Sequence, residues 1–172
     1  MFAVNQDYVK AINEQFEGLK KVIKDKNFRA NNEIPIIFFG NGSQELDAKV
    51  KSFPFQNGRG IIFVTHWNYE MALISNKNLE YVFAGLTDDE EYYVFARSRI
   101  NVDFLPKESP KEFEGYKIKY RYEDCPNPDN IKPRYKNYVS NIAKRLEELP
   151  NDKYEPNLRY FEEIISSLKI EK

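Results

Sequence analysis

The stretch "LEYVFAGLTDDEEYYVFARSRI", residues 79–100, decides the fold. Two runs rich in aromatic and β-branched residues flank a short segment of turn formers, the pattern of two antiparallel strands joined as a hairpin. Asp88, Asp89, Glu90 and Glu91 sit at the joint. A calcium loop would need oxygen ligands at alternate positions, a glycine at the sharp bend and a distal bidentate glutamate. "LTDDEEYYV" has no such glycine and runs straight into a strand, so the four carboxylates diverge. Paired acid–base carboxylates would need one desolvated member, and no neighbour supplies that environment. The acidic run reads as the solvated tip of a hairpin.

Working outward, "GIIFVTHW" (60–67) is the clearest further strand, and "IPIIFF" (34–39) reads as a short buried one with Pro35 near its start. "GYKIKYRY" (115–122) alternates and reads as another. "QELDAKVKS" (44–52) reads as a short helix opened by the "GNGS" turn, and "FPFQNGRG" (53–60) as loop. Tyr8, Ile12, Phe16, Leu19 and Ile23 recur at spacings of three and four and predict an N-terminal helix. Tyr135, Tyr138, Val139, Ile142 and Leu146 predict a second helix, stopping before Pro150. Leu158, Phe161, Ile164, Ile165 and Leu168 predict a third. "EDCPNPDNIKP" (123–133), with three prolines, reads as loop, as does Asn101 to Pro110. The expected class is α+β, a mostly antiparallel sheet packed by N- and C-terminal helices, in one domain spanning 1–172.

The composition narrows function without naming it. Of 172 residues, 41% are hydrophobic and 15% aromatic, so Phe and Tyr supply much of the burial. Lys and Arg number 26 against 27 Asp and Glu, a balance that provides no global attraction to nucleic acid or anionic lipid. A single cysteine, Cys125, excludes an intramolecular disulfide, and a single histidine, His66, excludes metal sites built on several imidazoles. Acidic neighbours would raise the Cys125 thiol pKa, the wrong direction for a nucleophile. His66 falls on the strand face of Ile62 and Val64 and reads as a half-buried structural imidazole. No G-x-S-x-G occurs, and no cofactor is indicated.

Several residues remain as candidates for binding. "FFGNGSQELD" follows a strand, a setting in which backbone N–H groups hold an anion, with Asn41 or Ser43 as turn former or cap in the plainer account. Arg59 stands between two glycines nearby. Arg97 and Arg99 share a strand face with Tyr93 and Phe95; over a concave face they would suit a carboxylate or phosphate, and otherwise they pair with acidic residues across the strands. Tyr116, Tyr120 and Arg121 belong to a strand with basic residues on one face and aromatics on the other. Trp67 joins these as the sort of side chain that dominates interface energy.

The chain resembles a group of uncharacterised bacterial domains, many of them exported or lipid-anchored. The residues that carry the resemblance are "FQNGRGIIFVT" (55–65), "NKNLEYVFAGLTDDEEYYV" (76–94), "FLP" (104–106) and "YEPNLRYFEEIISSLKI" (154–170). Glu90 stands where the group carries glycine, and "YFEEIISSL" lacks the group's leucine–aspartate pair. The resemblance implies a hairpin over 79–99, a C-terminal helix on the sheet, and export with the signal removed. The arrangement is also similar to the PsbP-like α/β/α sandwich. No catalytic residue is transferred.

Two readings of function follow. In the first, a non-enzymatic domain of the bacterial envelope or exterior binds a protein, glycan or small molecule through an aromatic-lined face. In the second, a cytosolic anion- or phosphate-binding protein or enzyme uses "GNGS", Arg59 and the Arg97/Arg99 pair. A third, single-stranded nucleic-acid binding through the basic strand, is disfavoured by the overall charge. Residues 1–172 hold no membrane-spanning run, and Met1 fits either a cytosolic start or a processed domain joined to a start methionine.

Overall fold

The computed structural model describes residues 6–25, 34–37, 42–68, 72–117 and 128–171. Its centre is a four-stranded antiparallel sheet in simple order: β1 (Ser43–Phe55), β2 (Gly58–Asn68), β3 (Leu79–Thr87) and β4 (Tyr93–Arg99). Every residue of β3 is buried, as befits a central strand covered on both faces. The chain then forms two two-residue strands, β5 (Asn101–Val102) and β6 (Glu112–Phe113), before β7 (Tyr116–Lys117) pairs back on β6. Helix α2 (Pro128–Glu148), β8 (Tyr154–Glu155), which pairs with β5, and helix α3 (Leu158–Ser167) complete the fold.

The sheet separates two apolar clusters. On one face α1 (Gln6–Lys24) sets Phe16, Leu19, Val22 and Ile23 against Ile61, Phe63, Val82, Ala84 and Leu86. On the other, Tyr138, Ile142 and Leu146 of α2 and Leu158 and Ile165 of α3 pack on Ile62, Val64, Tyr81 and Phe83. The result is an α/β/α arrangement of the expected α+β class. Phe83 is fully buried and meets Phe55 edge-on at 5.8 Å, a contact worth about 0.5–1.5 kcal/mol beyond area burial.

Five local expectations are corrected. Asn101 and Val102, read as the start of a loop, form β5. "QELDAKVKS" is strand, not helix, and belongs to β1. Its register slips between Gln44 and Leu46 and between Ala48 and Lys51, with Lys49 at φ 57. "FPFQNGRG" is not a loop: only Gln56 and Asn57 turn, and the rest extends β1 and β2. "EDCPNPDNIKP" is not all loop, because α2 starts at Pro128. Proline is tolerated at a first helical position, where the missing N–H would lack a partner anyway; Pro133, further in, forgoes one bond. Residues 34–37 of "IPIIFF" form no strand, and Phe38 and Phe39 lie outside the described residues. Of "GYKIKYRY", only Tyr116 and Lys117 are described as strand; residues 118–122 lie outside.

The ends of the sheet differ in how they are held. At the hairpin end, Asn57 mimics a strand neighbour: its Nδ2 donates to the Ile170 carbonyl at 2.8 Å and its Oδ1 accepts the Ile170 amide at 3.0 Å. The Gln56 amide donates to the Leu168 carbonyl at 3.0 Å. The β3–β4 tip is closed by Asp89, which accepts from the Thr87 hydroxyl at 2.6 Å and the Glu91 amide at 3.2 Å. Asp88 and Asp89 are exposed, as expected of a solvated tip, but Glu90 reaches Lys20 at 2.8 Å and Lys24 at 3.2 Å and ties the tip to α1. Those ammonium groups hold the Glu90 carboxyl below its usual range. Glu90 has φ 58, the left-handed conformation that glycine adopts freely.

Candidate functional site

The opposite, open end of the sheet gathers polar groups. Of the six buried polar residues among those described, Thr65, His66, Asn68, Ser75 and Glu80 lie there, and only Thr87 lies at the hairpin end. On the α1 face one row crosses all four strands: Asp47 opposite Thr65, Thr65 opposite Glu80, and Glu80 opposite Arg99. Glu80 interrupts an otherwise apolar central strand. Its Oε2 accepts the indole N–H of Trp67 at 3.0 Å and lies 3.6 Å from the Arg97 guanidinium. A buried carboxylate needs such partners, since an unpaired one costs several kcal/mol. Arg99, directly across from Glu80, is exposed and forms no ion pair among the described residues.

On the opposite face the same end holds Glu45, Asn68, Tyr135 and His66. The Tyr135 hydroxyl lies 3.1 Å from Glu45 Oε2 and 2.9 Å from the Ala72 carbonyl, which also accepts from Asn68 Nδ2 at 3.3 Å. Burial raises the Glu45 carboxyl, and the Tyr135 hydrogen bond opposes that shift. Burial, with the Glu147 charge second, pushes the Asp47 carboxyl up to about 6. His66 is 1% exposed, deeper than the half-burial expected from its strand face. Burial pushes its imidazole down to about 4. Its Nε2 accepts the Ser75 amide at 3.4 Å, and its Nδ1 has no partner among the described residues.

Of the seven candidate residues, the structure brings Trp67, Arg97 and Arg99 together around Glu80. Trp67 is not an exposed interface residue: it is 8% exposed and packs in the core on the α1 face. Arg59 is exposed but sits level with Leu86 and Tyr93, six residues along β3 from Glu80, a separation of roughly 20 Å. Ser43 of "GNGS" starts β1 opposite Asn68, so no helix N-terminus follows it, and Arg59 lies at the other end of the same strand pair. Tyr116 packs on Tyr138 with ring centroids 4.8 Å apart and is half-buried on the α2 side. Tyr120, Arg121 and Cys125 lie outside the described residues.

No family model, curated protein or solved structure matches this chain. The open end is therefore read from its own chemistry. Sequence reasoning missed Glu80, Asp47, Glu45 and Tyr135 as members of the site. The usable signal was Glu80, a lone charge in a strand whose other positions are apolar or small enough for full burial.

Proposed function

We propose that this is a non-catalytic binding domain that takes hold of an anionic group, a carboxylate or phosphate, at the open end of its sheet. The observation that carries the reading is Arg99: an exposed guanidinium on a strand, beside Arg97, whose cross-strand carboxylate is already engaged by Trp67 and Arg97. A guanidinium fork in that position matches the planar, bidentate geometry of carboxylate and phosphate oxygens. The burial of His66 supports binding rather than turnover, because its imidazole is shut off from a solvent-borne substrate. The setting in a bacterial envelope or exterior rests on the resemblance alone. No helix among the described residues is long and apolar enough to cross a membrane.

Thermal denaturation at low ionic strength, with inorganic phosphate and citrate titrated against matched chloride, tests the reading. A saturable rise in Tm that disappears in Arg99→Ala and survives in Arg59→Ala is expected. A rise with neither anion, or one that vanishes with Arg59 instead, would overturn it.

A further inference from the structure

The hairpin end holds a covalent lability that its own packing imposes. Gly58 follows Asn57, and a Cβ at position 58 would stand 2.1 Å from the Phe55 ring and 2.4 Å from the Leu86 carbonyl oxygen, so only glycine fits. Asn57 is fixed independently, since its carboxamide presents one donor and one acceptor to the backbone of Ile170. Together these demands create an Asn-Gly pair, the dipeptide whose unhindered glycine nitrogen most readily attacks the preceding side-chain amide. We propose that Asn57 is a deamidation site and that its conversion irreversibly releases the C-terminal segment, residues 168–171, from the hairpin.

The chemistry balances with water as the only co-reactant. The Gly58 amide nitrogen bonds to Asn57 Cγ, and Nδ2 leaves as ammonia with the proton from that nitrogen. The cyclic imide then adds one water and opens to aspartate or isoaspartate. In aspartate an oxygen replaces Nδ2, so the donor that met the Ile170 carbonyl at 2.8 Å becomes an acceptor facing an acceptor; in isoaspartate Cγ stays bonded to the Gly58 nitrogen, and the primary amide that made this contact is gone. Isoaspartate also lengthens the backbone of a two-residue turn whose flanking residues, Phe55 and Gly58, pair directly. In the folded chain the attack is held back twice: the ladder fixes the Gly58 backbone, and the Ile170 backbone fixes the target amide. Reaction therefore waits on local opening, and each event makes a transient opening permanent.

The test ages the full chain in mildly alkaline buffer, native and in denaturant, and maps Asn57 by peptide mass spectrometry. Asn57 should react at least about tenfold more slowly in the native chain, as local opening requires. The charge-separated deamidated fraction should lose hydrogen-exchange protection at the Ile170 amide while β3 keeps its own. Asn57→Asp should reproduce that loss, and the aged wild-type fraction supplies the same readout if the variant misfolds. Equal native and denatured rates, or an Ile170 amide that stays protected in deamidated protein, would overturn the proposal.

Discussion

The two ends of one sheet are built on opposite principles. At the hairpin end, close backbone approach at Gly58 and amide side chains that imitate strand neighbours join segments far apart in sequence. At the open end, burial displaces the pKa values of Glu45, Asp47 and His66, and the buried His66 Nδ1 has no partner among the described residues. Several short sequence motifs fall on ties. "FQNG" meets the C-terminal segment, and Asn76 of "NKNL" donates to the carbonyls of Val102 and Leu105 at 3.0 and 2.9 Å, beside "FLP". Those motifs report how the fold is closed. Most of the buried polar side chains among the described residues sit at the other end.

The contrast can be broken at several points. Gly58→Ala should be the most damaging change, on the order of 3 kcal/mol, at the top of the range for overpacking, because backbone and a core ring both oppose the new methyl. A urea midpoint near that of wild type would show that the hairpin end is not tightly closed.

Next in size is the acid response of the open end. The folded His66 pKa, about 4, lies below its ordinary 6.5, so its contribution is present above 6.5 and is lost as pH falls through 4. The shift corresponds to on the order of 3 kcal/mol. Asp47 works in the opposite sense: with a folded value of about 6 against an ordinary 3.8, its contribution is full below 3.8 and is lost as pH rises through 6. The two partly cancel in wild type. Asp47→Asn should therefore steepen the acid loss of stability and His66→Gln should flatten it, as read from urea midpoints across this window. Parallel profiles for all three proteins would contradict the assignment.

Glu80→Ala should cost about 1–3 kcal/mol by removing the carboxylate that accepts the Trp67 indole N–H, with Glu80→Gln recovering part of it. The smallest effect belongs to the tip. Glu90→Gly relieves a left-handed residue but loses two partly exposed ion pairs, so the net change should stay within about 1 kcal/mol. Its sign should move toward stabilisation as salt screens the pairs. Denaturant midpoints at low and high salt measure this, and a salt-independent difference would remove the electrostatic tie.

Legibility in the sequence follows the same division. β2, β3, β4 and most of the helices' apolar stripes were readable because period and burial coincide in them, whereas Ile164, read into the third stripe, is 61% exposed. β1 was not, for a specific reason: the irregularity around Lys49 shifts its alternation, so Leu46, Val50 and Phe53 acquire spacings of four and three that imitate a helix. The start of α2 was hidden by Pro128 and Pro133, which argue against a helix except near its first turn. At the site, Trp67, Arg97 and Arg99 could be nominated as residue types. Their common partner Glu80 emerged only from strand register, which no single strand's sequence contains.

Trp67 is the only tryptophan in the chain and donates to the carboxylate at the heart of the open end, so its indole reports on that site alone. The most direct test is to titrate inorganic phosphate and citrate while following the Trp67 indole N–H resonance and fluorescence in wild type and Arg99→Ala. The account predicts a saturable change in wild type that is absent from the variant. An indole that does not respond to either anion, or responds equally in both proteins, would contradict it.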